Sequence, residues 1–210
     1  AGSVSTGGGG GGGNTIVVPP SATPRPTVPE DSDDKIFKDV ENHWAENEIN
    51  AMFEQGVIEG TGENTFSPDQ PVTRAETAAM LTRAFSYTGE ADSYLDVDHN
   101  SWYAPYIAAV TANHIMSGAD GSFRPDDAIS REELSVVLYN IAQQNGFLEE
   151  KTAQMYIDDA SISDWAKEQV YAVSGAGLLN GVGEGKFAPK ASATRAEVAV
   201  ILYRLIEKMN

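Results

Sequence analysis

Three stretches of the chain carry apolar residues at i, i+3, i+4 and i+7, the spacing of one helix face. Leu134, Val137, Leu138 and Ile141 hold those places in one, and Val198, Ile201, Leu202 and Leu205 repeat them in another. The earliest copy is weaker, with Thr77, Met80, Leu81 and Ala84. Each stretch predicts an amphipathic helix whose apolar stripe faces a core. A shorter helix is predicted upstream of each, where Ile49 and Met52 align without gaps on Ile107 and Val110 and on Val170 and Val173. These shorter helices begin near Trp44, Trp102 or Trp165, and Gly56 or Gly177 closes two of them. The pattern is that of an all-α chain.

The longer helices share a start signal. Val72-Thr73-Arg74-Ala75-Glu76 returns as Ile129-Ser130-Arg131-Glu132-Glu133 and as Ala193-Thr194-Arg195-Ala196-Glu197. Thr73 with Glu76, Ser130 with Glu133 and Thr194 with Glu197 each make a capping box: the hydroxyl accepts from the N3 amide and the Glu reaches back to the N-cap amide. These six residues are therefore capping, structural positions. Arg is the odd member. A cation at the first helical position opposes the macrodipole, an unfavourable placement worth about 0.3–1 kcal/mol. Arg74, Arg131 and Arg195 in register call for a compensating anion, either an internal carboxylate such as a nearby Asp or an acidic ligand. Both hold together if the ion pair aims the guanidinium.

The rest of each unit is also tripled. Phe37-Lys38-Asp39, Tyr94-Leu95-Asp96 and Tyr156-Ile157-Asp158 precede the tryptophans, and Gly60, Gly118 and Gly181 follow the short helices. Phe66-Ser67-Pro68, Phe123-Arg124-Pro125 and Phe187-Ala188-Pro189 then lead into the boxes. The second and third boxes stand a little further apart than the first and second, and the extra residues fall around 143–155. A unit of this size with two short helices cannot bury its apolar stripes alone, so the three share one core. Equivalent inner faces favour a closed pseudo-threefold arrangement with the boxed helices at its centre; a linear solenoid is the alternative. The boundaries expected are residues 36–92, 93–155 and 156–210 for the repeats, after a Gly/Pro-rich linker over residues 1–35. Seven consecutive glycines and then alternating prolines define that linker, which has no apolar surface with which to offset its ordering entropy.

Charge narrows the partners. With 14 basic against 31 acidic side chains the formal charge is −17, which disfavours nucleic acid and anionic membrane surfaces. No apolar run is long enough to cross a bilayer, so membrane insertion is not expected. The chain has no Cys, hence no disulfide frame and no Cys-ligated metal. Asp96-Val97-Asp98-His99-Asn100 opens like a calcium loop but has Ser101 and Ile107 where Gly and Glu are needed. His43, His99 and His114 have no ligand spacing, so no metal or cofactor is expected. The boxed Glu residues are accounted for by capping, and no other carboxylate pair is tied to a nucleophile, so the chain does not read as an enzyme. The tryptophans read as core residues of the outlying helices, with a sugar-stacking face as the alternative.

The order Phe-x-Asp-Val, Trp, Gly-Val-Ile, Phe-x-Pro, then Thr-Arg-Ala-Glu resembles the S-layer homology domain, in the three tandem copies usual for that family. The resemblance covers all but the linker. It implies an all-α fold, three S-layer homology repeats forming a pseudo-threefold three-pronged spindle around a central three-helix bundle. It implies a non-catalytic module that anchors an exported protein, non-covalently, to secondary polysaccharide of a Gram-positive-type cell wall, with an anionic, pyruvate-bearing sugar as ligand. A further module is then expected ahead of the linker. In the family the ligand lies in grooves between repeats and the boxed Arg helps to recognise it. Carried onto this chain, the ligand-binding residues are Arg74, Arg131 and Arg195, with Trp44, Trp102 and Trp165, Asp39, Asp96 and Asp158, and Gly60, Gly118 and Gly181 around them. Three places depart from the family pattern. Glu132 beside Arg131 either holds it or repels an acidic ligand, Ala193 replaces a larger aliphatic residue, and Thr61-Gly62-Glu63-Asn64 lacks the usual aromatic-Pro-Asp loop.

The chemistry fits such a ligand locally. An acidic protein gains nothing at long range from an acidic polymer, so capture rests on a planar guanidinium fork, helix N-terminal charge and close backbone approach at glycine. Several grooves on a repeating polymer would add avidity. The rival reading is a protein-binding scaffold, or an S-layer assembly module, using the same grooves.

Overall fold

The structure, a computed structural model, describes residues 37–91, 94–148 and 155–209. The linker expected over residues 1–35 lies outside the described residues, as does the stretch 149–154. Among the described residues six helices follow one another: α1 Glu46–Glu54, α2 Arg74–Phe85, α3 Ala104–Ala112, α4 Arg131–Gln144, α5 Lys167–Gly175 and α6 Arg195–Met209. Short 3-10 turns at Lys38–Val40 and Asp159–Ser161 precede α1 and α5. Among the described residues there is no strand, only isolated bridges. The fold is all-α.

The helices start and stop where local chemistry directs. The backbone amides of Thr73, Ser130 and Thr194 donate to the carboxylates of Glu76, Glu133 and Glu197 at 2.8, 2.9 and 3.0 Å, and the hydroxyls accept the N3 amides in return. At the ends of α1 and α5, Gly56 and Gly177 adopt φ of 72° and 71°, a left-handed geometry that glycine takes without strain. The matching place after α3 is His114, at φ 57°, which carries the steric penalty of a Cβ there.

The sequence repeat is not the packing unit. Helix α2 packs on α3, α4 on α5 and α6 on α1, so each prong pairs a boxed helix with the short helix of the next repeat around the ring. Three backbone hydrogen bonds close that ring at the helix entrances. The Val72 amide donates to Ala193 O at 3.0 Å, Ala193 to Ile129 O at 2.9 Å, and Ile129 to Val72 O at 3.0 Å. All three residues are fully buried, so each donor and acceptor had to find a partner inside the protein. At the opposite end Phe85, Tyr87, Gln144, Asn145, Ile206 and Met209, from the last turns of α2, α4 and α6 or just beyond, line one cavity of 440 Å³. The boxed helices thus meet at both ends and form the central bundle, and the linear solenoid is excluded.

The apolar stripes fill the core as their period requires. Leu134, Val137, Leu138 and Ile141 are buried, as are Val198, Ile201, Leu202 and Leu205, and Ile49, Met52, Ile107, Val110, Val170 and Val173. In the weaker first stripe Thr77, Met80 and Leu81 are buried and Ala84 is only partly so. Thr77 stays satisfied by donating its hydroxyl to Thr73 O.

Because every repeat is built into its neighbours, the domain should unfold in one step. Phe66→Ala, which empties a fully buried site in the first repeat, is expected to destabilise the whole domain by about 3–5 kcal/mol. Urea titrations followed by far-UV circular dichroism and by tryptophan fluorescence should give one coincident midpoint, lowered together. A first repeat that melted alone would contradict the closed ring.

Candidate functional site

The boxed arginines are buried, at 4%, 2% and 4% exposure for Arg74, Arg131 and Arg195. Each reaches out of its own repeat into the next. Arg74 donates from Nε to Phe123 O and from Nη2 to Ser117 O, both at 2.8 Å, and from Nη1 to Glu133 at 3.2 Å. Arg131 makes the same three bonds to Phe187 O at 3.0 Å, Asn180 O at 2.5 Å and Glu197 at 2.9 Å. Arg195 closes the circle on Phe66 O, Glu59 O and Glu76, at 2.8, 2.8 and 2.6 Å. The guanidinium carbons lie 4.7, 5.1 and 4.6 Å from the ring centres of Phe123, Phe187 and Phe66.

The compensating anion is therefore the capping Glu of the following repeat, not an Asp. That Glu has two tasks, one oxygen for its own N-cap and the other for a foreign Arg, and the second is invisible in a repeat read by itself. Burial pulls Arg74 and Arg195 below the ordinary arginine value, against the raising effect of Glu133 and Glu76. Glu133 is pushed up by burial, but the Ser130 amide and hydroxyl, then Arg74 and Arg124, outweigh that and hold it below its usual range.

Asp39, Asp96 and Asp158 clamp the Phe loops. Asp39 accepts the amides of Phe66 and Ser67 at 2.9 and 2.7 Å, Asp96 those of Phe123 and Arg124 at 2.8 and 2.7 Å, and Asp158 those of Phe187 and Ala188 at 2.9 and 2.8 Å. The second residue of each loop is left-handed, at φ 59°, 59° and 56° for Ser67, Arg124 and Ala188, and the carboxylate fork holds it there. Burial raises Asp96 and Asp158, yet those amides bring both below the usual carboxylate range. With both oxygens occupied, these Asp residues serve the fold.

Gly60, Gly118 and Gly181 are likewise set by close approach. A Cβ on Gly118 would meet Ser122 O at 2.2 Å, and one on Gly181 would meet Lys186 O at 2.4 Å; on Gly60 the obstacles are Thr65 O at 2.7 Å and the Phe37 ring at 2.8 Å. Glu132 neither holds Arg131 nor stands free. Buried at the start of α4, it accepts from Lys190 Nζ at 2.5 Å and from the amide and hydroxyl of Ser163 at 3.0 Å each, a further tie between the second and third repeats.

The tryptophans correct the sequence reading. They are not core residues: Trp44, Trp102 and Trp165 are 62%, 55% and 57% exposed. The reason is the shared prong. Each short helix buries its stripe against a boxed helix of the preceding repeat, and the Trp ahead of it is left on the outer rim. Trp44 lines a groove of 370 Å³ together with Arg131, Asn180, Gly181, Glu197 and Arg204. Residues from all three repeats meet there; the family pattern named Trp44, Arg131 and Gly181 among the ligand-binding residues, and the fold joins them in one groove. Arg204 was missed. It sits nine residues after the boxed Arg, where the other helices carry Arg83 and Asn140, and that register was readable.

Against known families, the model of the S-layer homology domain matches residues 36–78, 93–135 and 156–199, more than half of the chain. The chain belongs to the S-layer homology domain family. It is 36% identical over 179 residues to an amylopullulanase of Thermoanaerobacterium thermosulfurigenes, covering 83% of this chain and 10% of that protein. It is 37% identical over 178 residues to exoglucanase XynX of Acetivibrio thermocellus, covering 83% and 16%. It is 31% identical over 173 residues to the S-layer protein sap of Bacillus anthracis, covering 79% and 20%. The chain thus spans at most a fifth of the length of these relatives.

Two outcomes are expected. Arg131→Ala should destabilise the domain by about 2–3 kcal/mol, because it removes the charge-assisted bonds that join the buried Phe187 carbonyl, the Asn180 carbonyl and Glu197, and Arg131→Lys should recover only part of that in urea melts. Acid should act through Glu133, Asp96 and Asp158. Their folded pKa values are depressed, so their stabilisation is complete above the unfolded values and is lost as pH falls below about 4. Melting temperature measured from pH 7 to pH 2 should fall in that window, and less steeply in Glu133→Gln.

Proposed function

We propose that this region is a non-catalytic anchoring module that holds an exported protein on a Gram-positive-type cell surface by binding secondary wall polysaccharide. The observation that carries the reading is the groove that the exposed Trp44 lines together with Arg131, Gly181 and Arg204. An exposed indole gives a sugar ring an apolar face, and a cation on the groove wall favours an acidic substituent. Membership of a family whose repeats also occur in an S-layer protein and in polysaccharide-degrading enzymes supports a shared tethering role. The ligand is an anionic sugar polymer, and a pyruvate ketal supplies the planar carboxylate that suits this site. By the register of the repeats, Trp102 with Arg195 and Gly60, and Trp165 with Arg74 and Gly118, are the counterparts for two further grooves of the same plan. Residues 36–92, 93–155 and 156–210 are the three repeats of the module, and the Gly/Pro-rich segment ahead of them is its spacer.

The chain should co-sediment with protein-free Gram-positive walls and lose that binding once hydrofluoric acid has stripped their secondary polysaccharide. Equal binding to stripped walls would refute the reading, and capture by an S-layer protein in place of walls would favour the scaffold alternative.

A further inference from the structure

The three grooves share a plan but not a charge. The residue nine places after each boxed Arg, on the same helix, is Arg83 in α2, Asn140 in α4 and Arg204 in α6. Arg83 is engaged: its Nη2 lies 3.1 Å from Glu59 and donates to the Tyr106 hydroxyl at 3.1 Å, and its guanidinium stacks 5.0 Å from that ring. Glu59 occupies the place that Ser117 and Asn180 hold in the other repeats, so only the first repeat carries an anion at that position. In the second groove the position is neutral, and the Asn140 amide donates to Ile115 O at 3.1 Å. The nearby cation there, Arg124, is held by Glu133 at 2.5 Å and Asp127 at 3.8 Å.

The third groove differs. Arg204 is exposed, lines the cavity beneath Trp44, and makes no hydrogen bond or ion pair among the described residues. The carboxylate in that cavity, Glu197, is bound by Arg131 and by its own N-cap amide. One positive charge is left over, on a protein whose formal charge is −17. The boxed Arg131 already has three of its five N–H groups bonded inside the fold.

Resting on the anchoring reading, we infer that the groove between α6 and the Trp44 turn is the principal binding site of the three, and that Arg204 is the residue that receives the carboxylate of the bound sugar. Arg131 positions the site: it fixes the Asn180 carbonyl and Glu197, and with them the wall against which the ligand lies. Arg83 does the converse in the first groove, where its pair with Glu59 leaves no cation for an acidic ligand. The same fold therefore grades its three sites by one register position.

The test is titration calorimetry of the full chain with wall polysaccharide extracted from Bacillus anthracis, before and after the mild acid treatment that removes ketal-linked pyruvate. Arg204→Ala should weaken binding to the untreated polymer at least about tenfold, as loss of a charge-assisted contact does. Arg204→Lys should recover part of it, and Arg83→Ala and Asn140→Ala should change affinity less than about twofold. On treated polymer, wild type and Arg204→Ala should be alike. Asn140→Arg should add binding equivalents by supplying the second groove with the missing cation. Melting curves confirm that each variant folds. If wild type binds the untreated polymer and Arg204→Ala binds it equally well, or if Arg83→Ala loses as much, this assignment is overturned while the anchoring reading stands. If wild type ignores the polymer, or binds it equally before and after acid treatment, the ligand chemistry itself is wrong and this assignment goes with it.

Discussion

A buried guanidinium that finds all its partners in the next repeat is the constraint on which this structure depends. Arg74, Arg131 and Arg195 each take two carbonyl oxygens and one carboxylate from a neighbour, over the face of a buried Phe ring. Only a planar fork with several fixed donors can do this, and Arg is the side chain that has one. A charge so placed would be costly if any of those acceptors moved away. The result is that no repeat is complete without the one it reaches into, and for the third repeat that is the first.

Closure then fixes the rest. The amide-to-carbonyl circuit through Val72, Ala193 and Ile129 satisfies the backbone where three helix entrances converge. The small Ala193 is tolerated there because it is fully enclosed and its backbone carries the contact. The Asp clamps hold each Phe loop in a left-handed turn that points the Phe carbonyl at the incoming Arg, so the Asp, the Phe and the foreign Arg form one unit. Glu132 with Lys190 and Ser163 adds a tie between the second and third repeats, at a position where the other boxes carry Ala75 and Ala196, and so the threefold symmetry is approximate from the start.

That approximation matters for function. Grooves between prongs arise as a by-product of packing a boxed helix on the next repeat's short helix, with a Trp left at each rim. On the anchoring reading proposed above, what a sugar would meet in a groove is decided by side chains that the fold does not need. Glu59, Asn140 and Arg204 are free to vary in that sense, and they set a neutralised, a neutral and a positively charged groove on the same scaffold. If the module tethers to a repeating polymer, one strong site with weaker ones beside it suffices, since the polymer returns to them at high effective concentration.

Much of this was legible in the residues alone. Helix period, capping boxes, glycine ends and the tripled order determined six helices in three repeats, because those signals act within a few residues of chain and survive in any context. The boxed Arg was marked as needing an anion, because its place at a helix N-terminus is unfavourable on local grounds. What the sequence could not decide was the partner of each group across the ring. Phe66 lies close to Arg74 along the chain yet serves Arg195, Glu133 caps its own helix yet pairs with Arg74, and Trp44 precedes a core helix yet faces outward. Each of those outcomes follows from pairing every boxed helix with the short helix of the next repeat, and nothing local distinguishes that pairing from packing within one repeat. Only closure of the chain on itself, with three buried charges that had to be satisfied at once, selects it.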